Sequence, residues 1–193
     1  MKSANLGTDP VKQLVLRLAL PAMLAQFVNV LYSIVDRMYI GNIPQIGETA
    51  LAGVGICGPI VTMISAFASW VGVGGAPLMS IRMGQKDMDG ARKILANCFL
   101  LMFLMSGLLI VFAYTVKAPI LRAFGATETI FPYADSYMSI YLCGTLFAIL
   151  SLGLNQFIIC QGYSGLGMLS VVIGALVNIV LDPVFIFVFN MGV

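Results

Sequence analysis

The sequence contains no histidine and very little charge. Its 193 residues include ten lysines and arginines and eight aspartates and glutamates, so charged residues make up only 9% of the chain. A soluble domain carries about a quarter charged residues, so this chain has too few to cover a water-facing surface. Without histidine it also lacks the usual general base near neutral pH and the commonest ligand of zinc. We therefore expect neither a soluble enzyme nor a zinc protein.

Positive charge and cysteine motifs are also sparse. The net charge of +2 is too small for a nucleic-acid-binding surface. The four cysteines lie in apolar runs without a C-x-x-C spacing, at Cys57, Cys98, Cys143 and Cys160. Such cysteines are typical of small buried side chains, not of a disulfide framework or a metal site. We expect no nucleic-acid partner, no resident metal and no cofactor.

What the sequence does contain is long uncharged runs, and hydrophobic residues make up 60% of the chain. A membrane-spanning helix needs about 20 mostly apolar residues, and five intervals reach that length. The predicted spans are residues 14–40, 50–80, 94–116, 133–160 and 168–189. A glycine-rich turn at 161–167 separates the last two. We predict an all-α membrane protein of about five transmembrane helices, with residues 1–193 forming a single transmembrane domain.

The distribution of lysine and arginine predicts the orientation of these spans. Seven basic residues lie in the N-terminal segment around the start of span one or follow span two, at Lys2, Lys12, Arg17, Arg82, Lys86, Arg92 and Lys93. Three lie on the opposite side, at Arg37, Lys117 and Arg122. The N-terminus is therefore predicted to be cytoplasmic. Near the outer end of span four, Tyr133, Tyr137 and Tyr141 are typical of an aromatic belt at the membrane interface.

Span one carries a line of polar residues, which are costly in a membrane unless they face protein or water. Their intervals of three or four residues place them on one helical face, at Gln26, Asn29, Ser33, Asp36 and Tyr39. We interpret this face as the lining of an aqueous cavity with Asp36 as its acid. In the alternative interpretation, the polar residues form hydrogen bonds between helices, and Asp36 pairs with Arg37 or reaches the membrane interface.

Span five repeats the pattern near its outer end. Asn178 and Asp182 are four residues apart and Pro183 follows, so we expect a kinked or opened helix with freed carbonyl oxygens beside the carboxylate. Asp36 and Asp182 lie about 30 and 21 Å from the inner ends of their spans, so both fall in the outer half of the membrane. We predict that the two acids form one site for a sodium ion or a shared proton. The alternative is an aspartate satisfied by a neighbour at a distorted helix end.

Two further groups of small or polar residues lie in spans two and four. Gly72, Gly74 and Gly75 are expected to allow close helix packing. Asn155 shares a helical face with Ser151, and both structural hydrogen bonding and cavity lining are compatible with that position.

Three segments together resemble the multidrug and toxic compound extrusion (MATE) family. They are residues 20–42, which contain Leu-Pro, Val-Asp-Arg and Gly-Asn, the loop at 82–91, and the run at 177–183 that ends in Leu-Asp-Pro. The resemblance covers essentially the whole chain. It implies a transporter of two six-helix lobes, of which this chain is an incomplete N-terminal lobe without the sixth helix and the second lobe.

The resemblance also implies a function and a site. Members of the family are cation-coupled antiporters that use sodium or protons to export amphipathic, often cationic, drugs and toxic compounds. Their first lobe holds an acid on helix one and an Asn/Asp pair on helix five, which correspond to Asp36, Asn178 and Asp182. The implied coupling ion is Na⁺ or H⁺, and the implied location is the bacterial cytoplasmic membrane, where the protein would be multi-pass and embedded in the lipid bilayer.

Two alternatives remain from the residues themselves. A lipid-linked oligosaccharide flippase of the same superfamily would show several basic residues along its cavity, whereas Arg37 is the only one between Leu18 and Ile81. A non-transporting truncated membrane protein is favoured by the missing helices. Because Val193 follows span five almost at once, we expect the chain to be part of a longer protein.

Overall fold

The computed structural model describes residues 10–189, apart from the side chains of Gln13 and Leu14. These residues form five long helices and no strand: α1 (Val11–Gly41), α2 (Gly47–Gly84), α3 (Met88–Ala123), α4 (Phe131–Cys160) and α5 (Ser164–Pro183), which continues into the π-helical segment Val184–Val188. All five are long and apolar enough to cross a membrane. The predicted all-α fold of five membrane helices is confirmed. Lys2 and the end of the chain lie outside the described residues.

Local chemistry explains where the helices differ from the predicted spans. α3 begins six residues before the predicted start because the Asp87 side chain accepts a hydrogen bond from the Gly90 N–H at 2.9 Å and caps the helix. The turn between α4 and α5 is shorter than predicted. Gly162 adopts a φ of 87°, which reverses the chain at once, so residues 164–167 belong to α5 and not to the turn.

The helices pack as a cluster of three and a neighbouring pair. α2, α3 and α4 pack closely on one another, while α1 and α5 pack chiefly on each other and touch the cluster through α2 and α4. The large buried side chains belong to the cluster and include Met102, Leu121, Met138, Leu142, Ile149 and Phe157. The apolar core therefore lies within the cluster, and the pair packs against the side of the cluster.

Two glycines of span two hold α2 against its neighbours, as predicted. A Cβ on Gly72 would lie 3.0 Å from the Gly153 carbonyl oxygen of α4, and one on Gly75 would lie 2.5 Å from Cys98 Sγ. A Cβ on Gly74 would meet no atom within 4 Å, so the packing interpretation is wrong for that residue. The three residues are close in sequence, but only two of them face the cluster.

The four cysteines are free, as the sequence predicts. Cys57 is buried, and its Sγ donates to the Ala134 carbonyl oxygen at 3.4 Å. Cys143 is exposed on α4, so the expectation of burial is wrong there. An apolar surrounding sequence shows that a residue lies in a membrane helix, but it does not show which side of the helix faces lipid.

Candidate functional site

The predicted acids meet in a cavity of about 580 Å³ beside the π-helical segment. We call it the acid cavity, and its lining comprises Tyr32, Asp36, Ile40, Tyr137, Ile140, Tyr141, Asn178, Asp182, Phe185 and Ile186. The spacing along each helix predicts which residues share a face. The structure adds that α1 and α5 lie side by side with those faces together, so Asp36, Asn178 and Asp182 line one space.

The hydrogen bonds of the acid cavity leave oxygen atoms without donors. Asn178 Nδ2 donates to Asp182 Oδ1 at 3.0 Å. The other oxygens of this pair, Asn178 Oδ1 and Asp182 Oδ2, are buried and have no hydrogen-bond partner within residues 10–189. The Asp36 carboxylate lies close enough to Asp182 to interact with it directly. Oxygen acceptors therefore converge here, and no lysine or arginine is among the residues that line the cavity.

This arrangement fits a small cation. A buried acceptor without a donor costs about 1–3 kcal/mol, and two neighbouring carboxylates repel each other. A sodium ion prefers hard oxygen ligands of this kind. A proton shared between the two acids would reduce their repulsion. The donor set therefore suits Na⁺ or H⁺.

The alternative partner for Asp36 is Arg37, which lies next to it in sequence but does not form an ion pair with it among the described residues. Arg37 is exposed. Since the two residues are adjacent on a helix, their side chains point in different directions, Asp36 towards α5 and Arg37 away from the protein.

The sequence does not predict that three tyrosines line the acid cavity. Tyr137 and Tyr141 stack with ring centroids 6.3 Å apart and line the acid cavity, so the interfacial-belt interpretation is wrong for both. Tyr32 also lines the cavity, one helical turn before Asp36. The intervals of four residues could have indicated shared faces. They could not show that the tyrosine face of α4 turns towards α1 and α5 instead of lipid.

The other predicted lining residues do not share the acid cavity. Gln26, Asn29 and Asn155 line a second space of about 420 Å³ nearer the start of α5, which we call the inner cavity. Ser33 and Tyr39 line neither of the two cavities. The Tyr39 ring instead forms a T-shaped pair with the Phe187 ring, with the ring centroids 6.4 Å apart. The single cavity predicted for the polar face of α1 is therefore corrected to two.

Asn155 also has a structural role in the inner cavity. Its Nδ2 donates to the Gly167 carbonyl oxygen and to Ser170 Oγ, both at 3.0 Å. These bonds join α4 to α5 where a Cβ on Gly167 would lie 3.1 Å from Asn155 Oδ1. Asn155 thus lines the cavity and links two helices, so both interpretations of this residue hold.

The predicted distortion at Pro183 takes the form of a change from α-helical to π-helical geometry, and the helix does not open. The chain passes from α5 directly into the π-helical segment, where the Phe189 N–H donates to the Val184 carbonyl oxygen at 3.0 Å. Proline has no N–H to donate, and a wider π-helical turn accommodates it without ending the helix.

Known proteins share this sequence and architecture. The protein family MatE matches residues 21–184 of the chain. The chain is 26% identical to the FAD transporter of Shewanella oneidensis over 183 residues, which are 95% of this chain and 40% of that protein. It is 28% identical to the multidrug export protein MepA of Staphylococcus haemolyticus over 179 residues, which are 91% of this chain and 38% of that protein.

Solved structures show the same similarity. The MATE multidrug transporter DinF-BH superposes with a TM-score of 0.91 at 33% identity, over 100% of this chain and 43% of the transporter. A MATE family transporter in an outward-facing conformation superposes with a TM-score of 0.89 at 26% identity, over 100% of this chain and 43% of its own. The chain thus spans about 40% of the length of the relatives it matches.

Proposed function

The chain belongs to the MATE family of multidrug and toxic compound extrusion transporters, and we propose that it supplies the cation-coupling lobe of a Na⁺- or H⁺-driven antiporter. Its similarity to about 40% of each relative supports an equivalence to the first of two lobes. A second lobe is then needed to complete the export path. This proposal includes a place in the bacterial cytoplasmic membrane, since the curated relatives named above are bacterial.

The observation that carries the proposal is the pair of buried, unpartnered oxygens beside Asp36. Within the part of the chain that the structure describes, Asn178 Oδ1 and Asp182 Oδ2 have no donor, and no basic residue lines the acid cavity. A cation bound there would be held by side chains of α1 and α5 together. Binding would therefore draw the two helices together, and its loss would leave two carboxylates that repel each other.

This linkage gives a mechanism for coupling. The cation favours the arrangement in which α1 and α5 are close, and an exported compound favours the arrangement in which they are apart. Each ligand then lowers the affinity for the other by the same factor, because coupling between two binding equilibria is reciprocal. The compound is exported and the cation enters when the two lobes expose the binding sites alternately to the two sides of the membrane.

The proposed substrates are amphipathic and often cationic compounds. Tyr32, Tyr137 and Tyr141 give the acid cavity aromatic surfaces beside its carboxylates, which is a favourable environment for an organic cation. Several relatives are named as multidrug export proteins.

The flippase alternative has less support. A lipid-linked oligosaccharide carries phosphate, which proteins bind with arginine, lysine or helix N-termini. No lysine or arginine is among the described residues that line the acid cavity or the inner cavity. The cavities are acidic and neutral, respectively, so they favour cations and uncharged groups over phosphate.

Cation binding by the purified chain tests the proposal. Sodium-22 binding and proton release are measured in lipid nanodiscs for the unchanged chain, Asp182→Asn and Arg37→Gln. Asp182→Asn is expected to weaken binding at least about tenfold, because a contact with a charged group contributes about 1.5–3 kcal/mol. Arg37→Gln is the matched control and should bind normally. Equal binding by all three proteins would contradict the proposal, as would equal losses in the two variants.

A further inference from the structure

The polar face of α1 extends further than a cation site requires. Asp36 lines the acid cavity and Asn29 lines the inner cavity, while the half-buried Ser33 lies between them at intervals of three and four residues. These intervals keep all three on one side of the helix. Binding a cation accounts for Asp36 alone, so the rest of the face needs a separate explanation.

The two cavities lie between the same helices and close together. Along α1, Asn29 of the inner cavity is three residues from Tyr32 of the acid cavity, a rise of about 4.5 Å. Along α5, the interval from Val171 to Asn178 is about 10 Å. The inner cavity extends to Ser164, the first residue of α5. It therefore reaches the end of the bundle at which α4 ends and α5 begins.

The short stretch between the cavities is lined by small residues. On α4, Gly144 and Ala148 continue the face that carries Tyr141, and on α5, Gly174 and Ala175 lie between Val171 and Asn178. A Cβ on Gly144 or on Gly174 would meet no atom within 4 Å. Space is thus left beside the polar face of α1, between one cavity lined by amides and hydroxyls and another lined by carboxylates.

We propose that the two cavities form one aqueous path, through which the coupling cation moves between the acid cavity and the inner side of the membrane. The path is a device of the proposed cation coupling and rests on that function. Its uncharged amide and hydroxyl groups suit a hydrated monovalent cation or a file of water molecules that carries protons. Because it runs between α1, α4 and α5, the cation has a route that lies within this lobe.

Side-specific cysteine labelling of the full chain tests the path. The four native cysteines are replaced by alanine, and Ser33→Cys or Gly144→Cys is introduced singly. Ile34→Cys is the matched control, since Ile34 is adjacent to Ser33 but 50% exposed on the outside of α1. A positively charged, membrane-impermeant methanethiosulfonate reagent is added outside sealed inside-out vesicles, so that it reaches the inner (cytoplasmic) side of the membrane. The two path cysteines should react at least about tenfold faster than Ile34→Cys, because a thiol must reach water to ionise.

A blocking variant tests whether the route continues to the acids. The rate of labelling of Tyr32→Cys measures access to the acid cavity. Gly174→Leu places a large side chain in the open space between the inner cavity and the acid cavity. Gly174→Leu should slow labelling of Tyr32→Cys from the inner side about tenfold, since only ionised thiol in contact with water reacts. Ile173→Phe, at the neighbouring residue that is 52% exposed, should leave the rate unchanged.

Two results would overturn the path. One is labelling of Ser33→Cys and Gly144→Cys no faster than that of Ile34→Cys, and the other is unchanged labelling of Tyr32→Cys behind Gly174→Leu. Neither measurement depends on cation binding. If labelling fails while Asp182→Asn abolishes sodium or proton binding, the cation site stands and the path is rejected. If labelling succeeds while Asp182→Asn binds cations normally, the cation-site proposal fails on its own.

Discussion

At the scale of single residues, the membrane helices contain two groups of charged side chains that differ in whether their polar atoms have partners. Asp36 and Asp182 line one cavity, where Asn178 Oδ1 and Asp182 Oδ2 are buried and have no donor among the described residues. Lys117 and Asp135 instead form an ion pair of 2.8 Å, and the lysine also donates to Ser139 Oγ at 2.6 Å. A satisfied pair is a structural link, whereas an unsatisfied one leaves a place for a ligand. For this reason we propose cation binding at Asp36 and Asp182 and not at Lys117 and Asp135.

The Lys117–Asp135 pair should stabilise the contact between α3 and α4. Its side chains are only 18% and 33% exposed. Lys117→Met should lower the free energy of unfolding by about 1–3 kcal/mol, between the values for exposed and buried pairs. The measurement is thermal unfolding in detergent. The double variant Lys117→Met/Asp135→Leu should lose less than the sum of the single variants, because it leaves no unpaired charge, and strictly additive losses would contradict the interpretation.

At the scale of helices, close contact between α2 and α4 depends on Gly72. The carbonyl oxygen and Cα of Gly153 would lie 3.0 and 3.2 Å from a Cβ at this position, so a side chain there would press on backbone. Backbone cannot move aside as a flexible side chain can. The two helices are therefore held at a separation that only glycine allows.

Gly72→Leu should destabilise the chain, and Gly74→Leu should not. Overpacking of this kind costs about 1–3 kcal/mol, which should lower the unfolding temperature by several degrees. Gly74 is the matched control because a Cβ there meets nothing within 4 Å. Both variants are compared by thermal unfolding in the same detergent. An equal loss in both would mean that the leucine acts through something other than the α2–α4 contact.

The helices also show which features of the fold and the candidate site could be predicted from the sequence. Apolar length predicts five spans, and the spacing of Asp36, Asn178 and Asp182 predicts that they belong to inward faces. Helix rotation is harder to predict, because in a membrane both lipid and protein interior are apolar. The sequence therefore predicts Tyr137 and Tyr141 at the interface, although they line the acid cavity. It also predicts Ser33 in the same cavity as Asp36, because spacing alone does not show where one cavity ends.

At the scale of the whole molecule, the cluster and the pair have different characters. Most of the buried apolar side chains lie in α2, α3 and α4, while both polar cavities lie along α1, α4 and α5. In the proposed coupling, the pair changes its arrangement and the packed apolar cluster keeps its own. α4 belongs to both, because it packs on α2 and α3 and also lines the cavities.

The orientation of the molecule in the membrane is predicted from its basic residues and can be checked directly. The loop near Gln85 should face the cytoplasm and the loop near Gln45 should face outwards. Both residues are exposed, so cysteines there are accessible to reagents. In intact cells, a membrane-impermeant thiol reagent should label Gln45→Cys and spare Gln85→Cys in a cysteine-free background. The reverse pattern would invert the orientation and the direction of the proposed path.

The central claim is that Asp36 and Asp182 alternately bind and release the coupling cation, and export tests it most directly. Cation-driven export of an amphipathic drug is measured in cells that express the complete natural reading frame, with the amount of protein in the membrane measured alongside. Asp36→Asn and Asp182→Asn keep the size of the side chain but remove its charge, so each should abolish export while the protein is still inserted. Arg37→Gln should retain most of it. Near-normal export by well-expressed Asp36→Asn, or an equal loss in Arg37→Gln, would contradict the account.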